Sequence, residues 1–263
     1  MLYLMYFLLY LFIFVLGICI GSFINVIVYR LPNNISLKGR SFCPICKKQI
    51  KTYDLIPLLS FFILKRKCRS CKSSISFRYP AVELFVGILA VIIFIHYYFT
   101  AKALLVFGLC AVLVTIALID YDKMIIPDIL IFLIIPLSVI SFFVFGEISP
   151  LSRVSGVFFA SAPLLIFVFF KKDAFGVGDI KLIAASGLFL GFKLNLIAFF
   201  MAIILAGIYI LIKFLFKKLT KDDHIPFGPF LCTGIMLSLM YGQKLIELYL
   251  NLLDKILKGI GYA

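Results

Sequence analysis

Residues 1–29 contain no charged side chain. A run of that length exceeds the roughly 20 apolar residues that carry a helix across a bilayer. Seven more uncharged runs follow, at 84–101, 103–119, 129–146, 154–170, 182–192, 194–212 and 225–243. Of the 263 residues, 64% are hydrophobic and 14% charged, too little polar surface to cover a soluble domain. Disorder, a collagen and a secreted disulfide scaffold are excluded by the same composition. In lipid each spanning segment must satisfy its own backbone, so the spans are helices and not strands. The expected fold class is all-α, a polytopic helical membrane protein.

The net charge of +14 is concentrated. From Arg30 to Tyr79 stand twelve Lys/Arg against one acidic residue, Asp54. A basic loop beside membrane spans marks the cytoplasmic side and meets anionic lipid. No nucleic-acid motif accompanies the charge, so nucleic acid is excluded as a partner. The N-terminus lacks the basic region and the small-residue site of a cleaved signal peptide.

The run 182–192 is short, and charge decides whether it spans. If it does, the inside loops are 30–79, 120–128, 171–179 and 213–224, and the outside loops hold only Lys102, Glu147, Arg153 and Lys193. If it does not, Lys213, Lys217, Lys218 and Lys221 fall outside, against the positive-inside bias. The expectation is about eight transmembrane helices with both termini outside. The segment after Gly242 reads as an interfacial helix. No internal repeat is apparent.

Four of the seven cysteines form Cys43-Pro-Ile-Cys46 and Cys68-Arg-Ser-Cys71, with 21 residues between the pairs. Two such pairs supply four thiolates to one tetrahedral Zn²⁺ and leave no open position, so the metal is structural. Redox thiols are the other reading; a cytoplasmic loop keeps them reduced. The insert is expected to be zinc-ribbon-like. Cys19, Cys110 and Cys232 sit alone in apolar runs and read as small apolar residues.

Acidic residues at membrane helices read as functional. Asp120 directly follows seventeen uncharged residues, and Asp179 closes Gly176-Val-Gly178-Asp179. Asp179 could instead be a helix cap and the glycines a turn. Asp122 reads as a solvent partner of Lys123, and Asp128 as a cap or dipole partner after Pro127. Under the eight-span topology Asp120 and Asp179 share the cytoplasmic face. Two neighbouring carboxylates cannot both ionise cheaply, so such a pair shares a proton. One then takes a proton from water while the other polarises a carbonyl, which is aspartyl protease chemistry. No Ser/His/Asp order, HExxH motif or phosphate loop competes. A proton- or ion-coupled transporter with a regulatory zinc-binding loop is the alternative.

Six motifs in order resemble the bacterial type IV prepilin leader peptidase/N-methyltransferase family of GxGD membrane aspartyl proteases. They are Gly21-Ser22-Phe23-Ile24-Asn25-Val26-Ile27-Val28-Tyr29-Arg30-Leu31-Pro32, the paired CxxC knuckles and Arg78-Tyr79-Pro80-Ala81-Val82-Glu83-Leu84. Then come Asp120 seven residues before Pro127, the Gly-x-Gly-Asp of Asp179, and Pro226-Phe227-Gly228-Pro229-Phe230. The resemblance implies that Asp120 and Asp179 are catalytic, and that the enzyme sits in the bacterial cytoplasmic membrane with its site facing the cytoplasm. It implies removal of the basic leader from prepilins and pseudopilins, then methylation of the new N-terminus from S-adenosylmethionine. On this reading 1–29 is the first transmembrane helix and 30–79 the basic four-cysteine loop of the methyltransferase part. Residues 80–250 are a seven-helix protease core, and 251–263 a tail. Arg66 departs from the pattern, standing where the family usually has glycine. Candidate substrate or cofactor contacts are Gly176, Gly178, the stripe Ser22, Asn25 and Tyr29, and Arg78 and Glu83. The stripe also reads as interhelical hydrogen bonding, and Arg78 with Glu83 as a structural pair.

Overall fold

Each long uncharged run forms a helix. The computed structural model describes residues 1–170, 176–216 and 224–259. Among them the helices are α1 (Leu2–Arg30), α2 (Leu59–Ile63), α3 (Arg78–Tyr97), α4 (Ala101–Lys123), α5 (Asp128–Val144), α6 (Pro150–Phe170), α7 (Val177–Leu215) and α8 (Gly228–Gly259). Short 3-10 turns occupy Leu31–Asn33 and Thr52–Leu55, and the described residues form no strand. Leu2–Asn33, Arg78–Tyr97, Ala101–Lys123 and Val177–Leu215 are each long and apolar enough to cross a bilayer. Asp128–Val144 and Pro150–Ile166 are apolar but shorter. The expected loop residues 171–175, the cations Lys217, Lys218 and Lys221, and the last tail residues 260–263 lie outside the described residues.

The chain divides into two compact units, Met1–Ala111 and Val112–Ala263. In the first, α1 and α3 run antiparallel: Gly17 meets Gly87, Gly21 meets Glu83, and Asn25 Nδ2 donates to the Tyr79 carbonyl at 3.0 Å. A β-carbon on Gly17 or on Gly21 would lie 2.8 Å from the α3 backbone. Small residues one turn apart let two membrane helices approach this closely. The sequence reading grouped α3 with the later helices; this seam groups it with α1.

The insert between them hangs from Arg30. That side chain is buried and donates to the carbonyls of Ser36, Leu37, Lys38 and Arg40 at 2.9–3.2 Å. Sequence reasoning counted Arg30 among the topology-setting charges and missed this clasp. The two cysteine pairs sit in matching turns. Cys43 N–H bonds the Lys48 carbonyl and Lys47 N–H the Cys43 carbonyl; Cys68 and Lys72 repeat both bonds with Ser73 and Cys68. Lys47 and Lys72 both take left-handed φ, 60° and 59°. The motif x-C-x-x-C-K-x-x-I occurs at 42–50 and again at 67–75, a short repeat that the sequence reading overlooked.

In the second unit α7 doubles back. Asn195 Nδ2 donates to the Ile183 carbonyl at 3.0 Å, and Ser186 Oγ to Asn195 Oδ1 at 2.8 Å. Twelve residues of straight helix span about 18 Å, so the limbs 177–190 and 192–215 form a hairpin. The bend is Gly191, with φ 74° and ψ 177°, a conformation open essentially only to glycine. Lys193, just past it, is exposed. Ser152 of α6 accepts the Phe192 amide at 3.1 Å. Arg153 donates to the Leu188 and Phe189 carbonyls and to Ser141. Its expected place in an outside loop is therefore corrected: α6 begins at Pro150, and Arg153 is buried, closing the last carbonyls of the first limb.

α8 packs antiparallel on the second limb, with Gly234 against Ala198 and Ala202 and Ser238 Oγ donating to the Leu194 carbonyl. It continues unbroken through 243–259. The end of α4, both ends of α7 and the start of α8 all reach one cavity.

Candidate active site and metal centre

The four sulfurs of Cys43, Cys46, Cys68 and Cys71 lie within 4.8 Å of one another, and Cys43 and Cys71 are 3.9 Å apart. Four thiolates at 2.3 Å from one tetrahedral ion would be about 3.8 Å apart. The donor set and its spacing fit such an ion. Backbone amides at Cys46 hold the Cys43 thiol below its ordinary range, and the Ser73 hydroxyl pulls Cys71 down to about 6. Asp54 braces the second knuckle through a two-pronged pair with Arg69, at 2.7 and 2.8 Å. Those hydrogen bonds hold the Asp54 carboxyl below the usual carboxylate range.

A cavity of about 460 Å³ lies between this cluster and the ends of α1 and α3. That volume suits a small molecule. Ser22, Asn25 and Tyr29 line one wall, Tyr79 and Glu83 another, and Cys43 and Cys68 the side of the cysteine cluster. The stripe thus faces the cavity, while Asn25 also bridges to α3. Glu83 is buried and its Oε2 accepts the Leu58 amide at 2.8 Å. Arg78 opens α3 and lies outside the cavity lining. Arg66 also lies outside it, with φ 62° and its guanidinium over the Phe61 ring. A left-handed backbone at that position favours glycine whatever lies in the cavity.

The second unit holds the two aspartates. Asp120, at the end of α4, is 6% exposed, and Asp179, in the first turn of α7, is 7% exposed. Both line one cavity of about 350 Å³. Asp120 Oδ2 accepts the Gly228 amide at 3.0 Å, at the N-terminus of α8. Helix N-termini present unpaired amides that suit a carboxylate. Asp179 Oδ2 accepts the Gly176 amide at 3.2 Å, the carboxylate half of a capping box. Asp179 Oδ1 is buried and has no hydrogen-bond partner among the described residues. Gly176 and Gly178 line the same cavity, and a β-carbon on Gly178 would sit 2.9 Å from Ile126.

The neighbouring acids differ. Asp122 is exposed. Asp128 does not cap α5, whose N-cap is Pro127; it pairs with Lys181 Nζ at 2.8 and 3.0 Å. That pair joins the first turn of α5 to Lys181, the fifth residue of α7 and two residues beyond Asp179. Gly228 is the residue that sequence reasoning passed over. Its signal was present, a glycine between two prolines at a helix start.

Residues 15–97 match the bacterial peptidase A24 N-terminal domain, and 107–211 match the type IV leader peptidase family. The chain is 31% identical to a prepilin leader peptidase/N-methyltransferase of Bacillus subtilis, over 91% of this chain and 97% of that protein. It is also 31% identical to proteins of the same name from Legionella pneumophila and Pseudomonas aeruginosa. Those similarities cover 92% and 90% of this chain, and 94% and 91% of the relatives. No solved structure matches it significantly. The two adjoining matches and the nearly full-length relatives agree with the order of motifs read from the sequence, and the chain belongs to the type IV leader peptidase family.

Proposed function

We propose that this chain removes the basic leader of prepilins and pseudopilins with Asp120 and Asp179 at the cytoplasmic face of the bacterial cytoplasmic membrane, then methylates the new N-terminus. The observation that carries the first reaction is the pair of buried carboxylates on one cavity, with Asp179 Oδ1 unpartnered. Each carboxylate gives one oxygen to a backbone amide, which fixes its plane. One takes a proton from water as the water oxygen bonds to the scissile carbonyl carbon. The other, protonated, hydrogen-bonds the carbonyl oxygen. The proton then passes to the amine nitrogen as the C–N bond breaks. The carrier reading has no observation of its own, since the helix break at Gly191 lies twelve residues from Asp179.

The topology that serves this chemistry has eight crossings: α1, α3, α4, α5, α6, the two limbs of α7, and the first part of α8. The limb 177–190 rises only about 20 Å, short of the roughly 30 Å hydrocarbon. Asp179 at its start is then recessed below the interface.

The metal of the four-cysteine cluster is Zn²⁺, held for structure. The cavity beside it takes S-adenosylmethionine, which supplies the methyl group when bound. Glu83 holds the amine there, and Ser22, Asn25 and Tyr29 form the opposite wall. The methyltransferase part is thus the 30–79 insert together with the flanking ends of α1 and α3, and the protease part is the helices from α4 onward.

The test uses the full-length protein in proteoliposomes with a prepilin. Asp120→Asn and Asp179→Asn each reduce leader removal at least a thousandfold. Asp122→Asn and Asp128→Asn retain substantial cleavage. Equal tolerance of all four would sink the assignment.

A further inference from the structure

α2 is an unusual element for a water-borne loop. Its residues, Leu59-Ser60-Phe61-Phe62-Ile63, belong to an insert with twelve cationic side chains and one acidic one. Phe61 turns inward and is buried edge-on to Phe77, 5.9 Å between centroids. Leu59, Phe62 and Ile63, at i, i+3 and i+4, face outward and are 59%, 68% and 67% exposed. Ile56, three residues before α2, is exposed as well. A contiguous apolar surface marks a contact site.

Depth and charge identify the contact. Leu58 N–H donates to Glu83, the sixth residue of α3. Five rises of 1.5 Å put Glu83 about 7.5 Å along that span from Arg78. α2 therefore starts level with the second turn of a membrane-crossing helix, not beyond its end. Lys65, Arg66 and Lys67 follow at once and are exposed. An apolar face beside a cationic run is the pattern of a segment lying in the interface of an anionic bilayer.

We propose that α2 is an interfacial anchor: Leu59, Phe62 and Ile63 insert at the headgroup–acyl boundary, and Lys65 and Lys67 engage anionic headgroups. The anchor holds the metal-bound insert against the membrane. This inference rests on α1 and α3 crossing the bilayer, and on neither proposed reaction.

The chain contains no tryptophan, so Phe62→Trp gives a single reporter. The full-length variant is reconstituted in phosphatidylcholine–phosphatidylglycerol vesicles, with and without bromine near the headgroup end of the acyl chains. Bromine is expected to lower the emission at least twofold, and aqueous iodide to leave it nearly unchanged. Ile45→Trp, on the exposed first knuckle, should respond in the opposite way. Emission from Phe62→Trp that bromine does not change would overturn the proposal. Iodide quenching would then mean an α2 free in water, and protection from both quenchers a protein partner. Retained metal content shows that the variant is folded, and Leu59→Trp reports the same face should Phe62→Trp lose its metal. Absence of leader cleavage by the unsubstituted protein would refute the protease reading and leave this result intact.

Discussion

A β-carbon at position 228 would sit 2.5 Å from Asp120 Oδ2 and 2.9 Å from its Cγ. The Asp120 carboxylate occupies the space that any other residue at 228 would fill. Gly228→Ala must therefore displace the carboxylate or tilt the start of α8, and either change loosens the amide bond that orients it. Leader cleavage is expected to fall at least tenfold in Gly228→Ala, while metal content stays unchanged. Cleavage at the unsubstituted rate would show that the amide does not position Asp120. The common location of the two aspartates was legible, because carboxylates beside long uncharged runs have few structural uses. Gly228 was not, because a glycine's importance lies in what fills the space it leaves. Arg30 failed for a related reason: its charge reads the same from sequence whether it meets water, lipid or four carbonyls.

Among the elements, α7 separates the readable from the unreadable. Charge placement argued that 182–192 and 194–212 are separate segments, and α7 is a hairpin whose two ends both reach the aspartate cavity. The bend falls at Gly191 rather than at Lys193, because the turn demands the combination φ 74° and ψ 177°, which is open essentially only to glycine. A β-carbon there would also lie 2.8 Å from Ile148 and 2.9 Å from Ser152 Oγ. Gly191→Ala should cost about 1–3 kcal/mol, seen as a lower thermal midpoint in detergent. Gly207→Ala, in open space, should leave the midpoint nearly unchanged. Equal midpoints for the two variants would mean that the bend relaxes without cost. Arg153 shows what periodicity misses: a charge beside an apolar run marked a loop, whereas its guanidinium closes helix carbonyls inside the fold. The doubled knuckle is legible in nine residues, whose repeat extends beyond the two cysteines to the following lysine and isoleucine.

Across the whole molecule the two proposed reactions use two separate sets of residues. The methylation set, Ser22, Asn25, Tyr29 and Glu83, lies within Met1–Ala111, and the aspartates lie within Val112–Ala263. The metal bears on one set alone. Cys43 and Cys68 belong at once to the proposed metal cluster and to the cavity wall, and Asp54 reaches the second knuckle through Arg69. With so small a core of its own, the insert would depend on the proposed ion to fix that wall, as small metal-stapled domains do. Stripping the metal with a chelator, or replacing Cys43 and Cys68 by Ser, is therefore expected to abolish binding of S-adenosylmethionine. Leader removal should stay within about threefold, since α4, α7 and α8 supply that cavity without any metal ligand. Isotope-labelled cofactor measures the first, and the mobility of the prepilin product the second. Parallel loss of both functions on chelation would mean that the knuckles also support the aspartate site, and the division of labour would have to be given up.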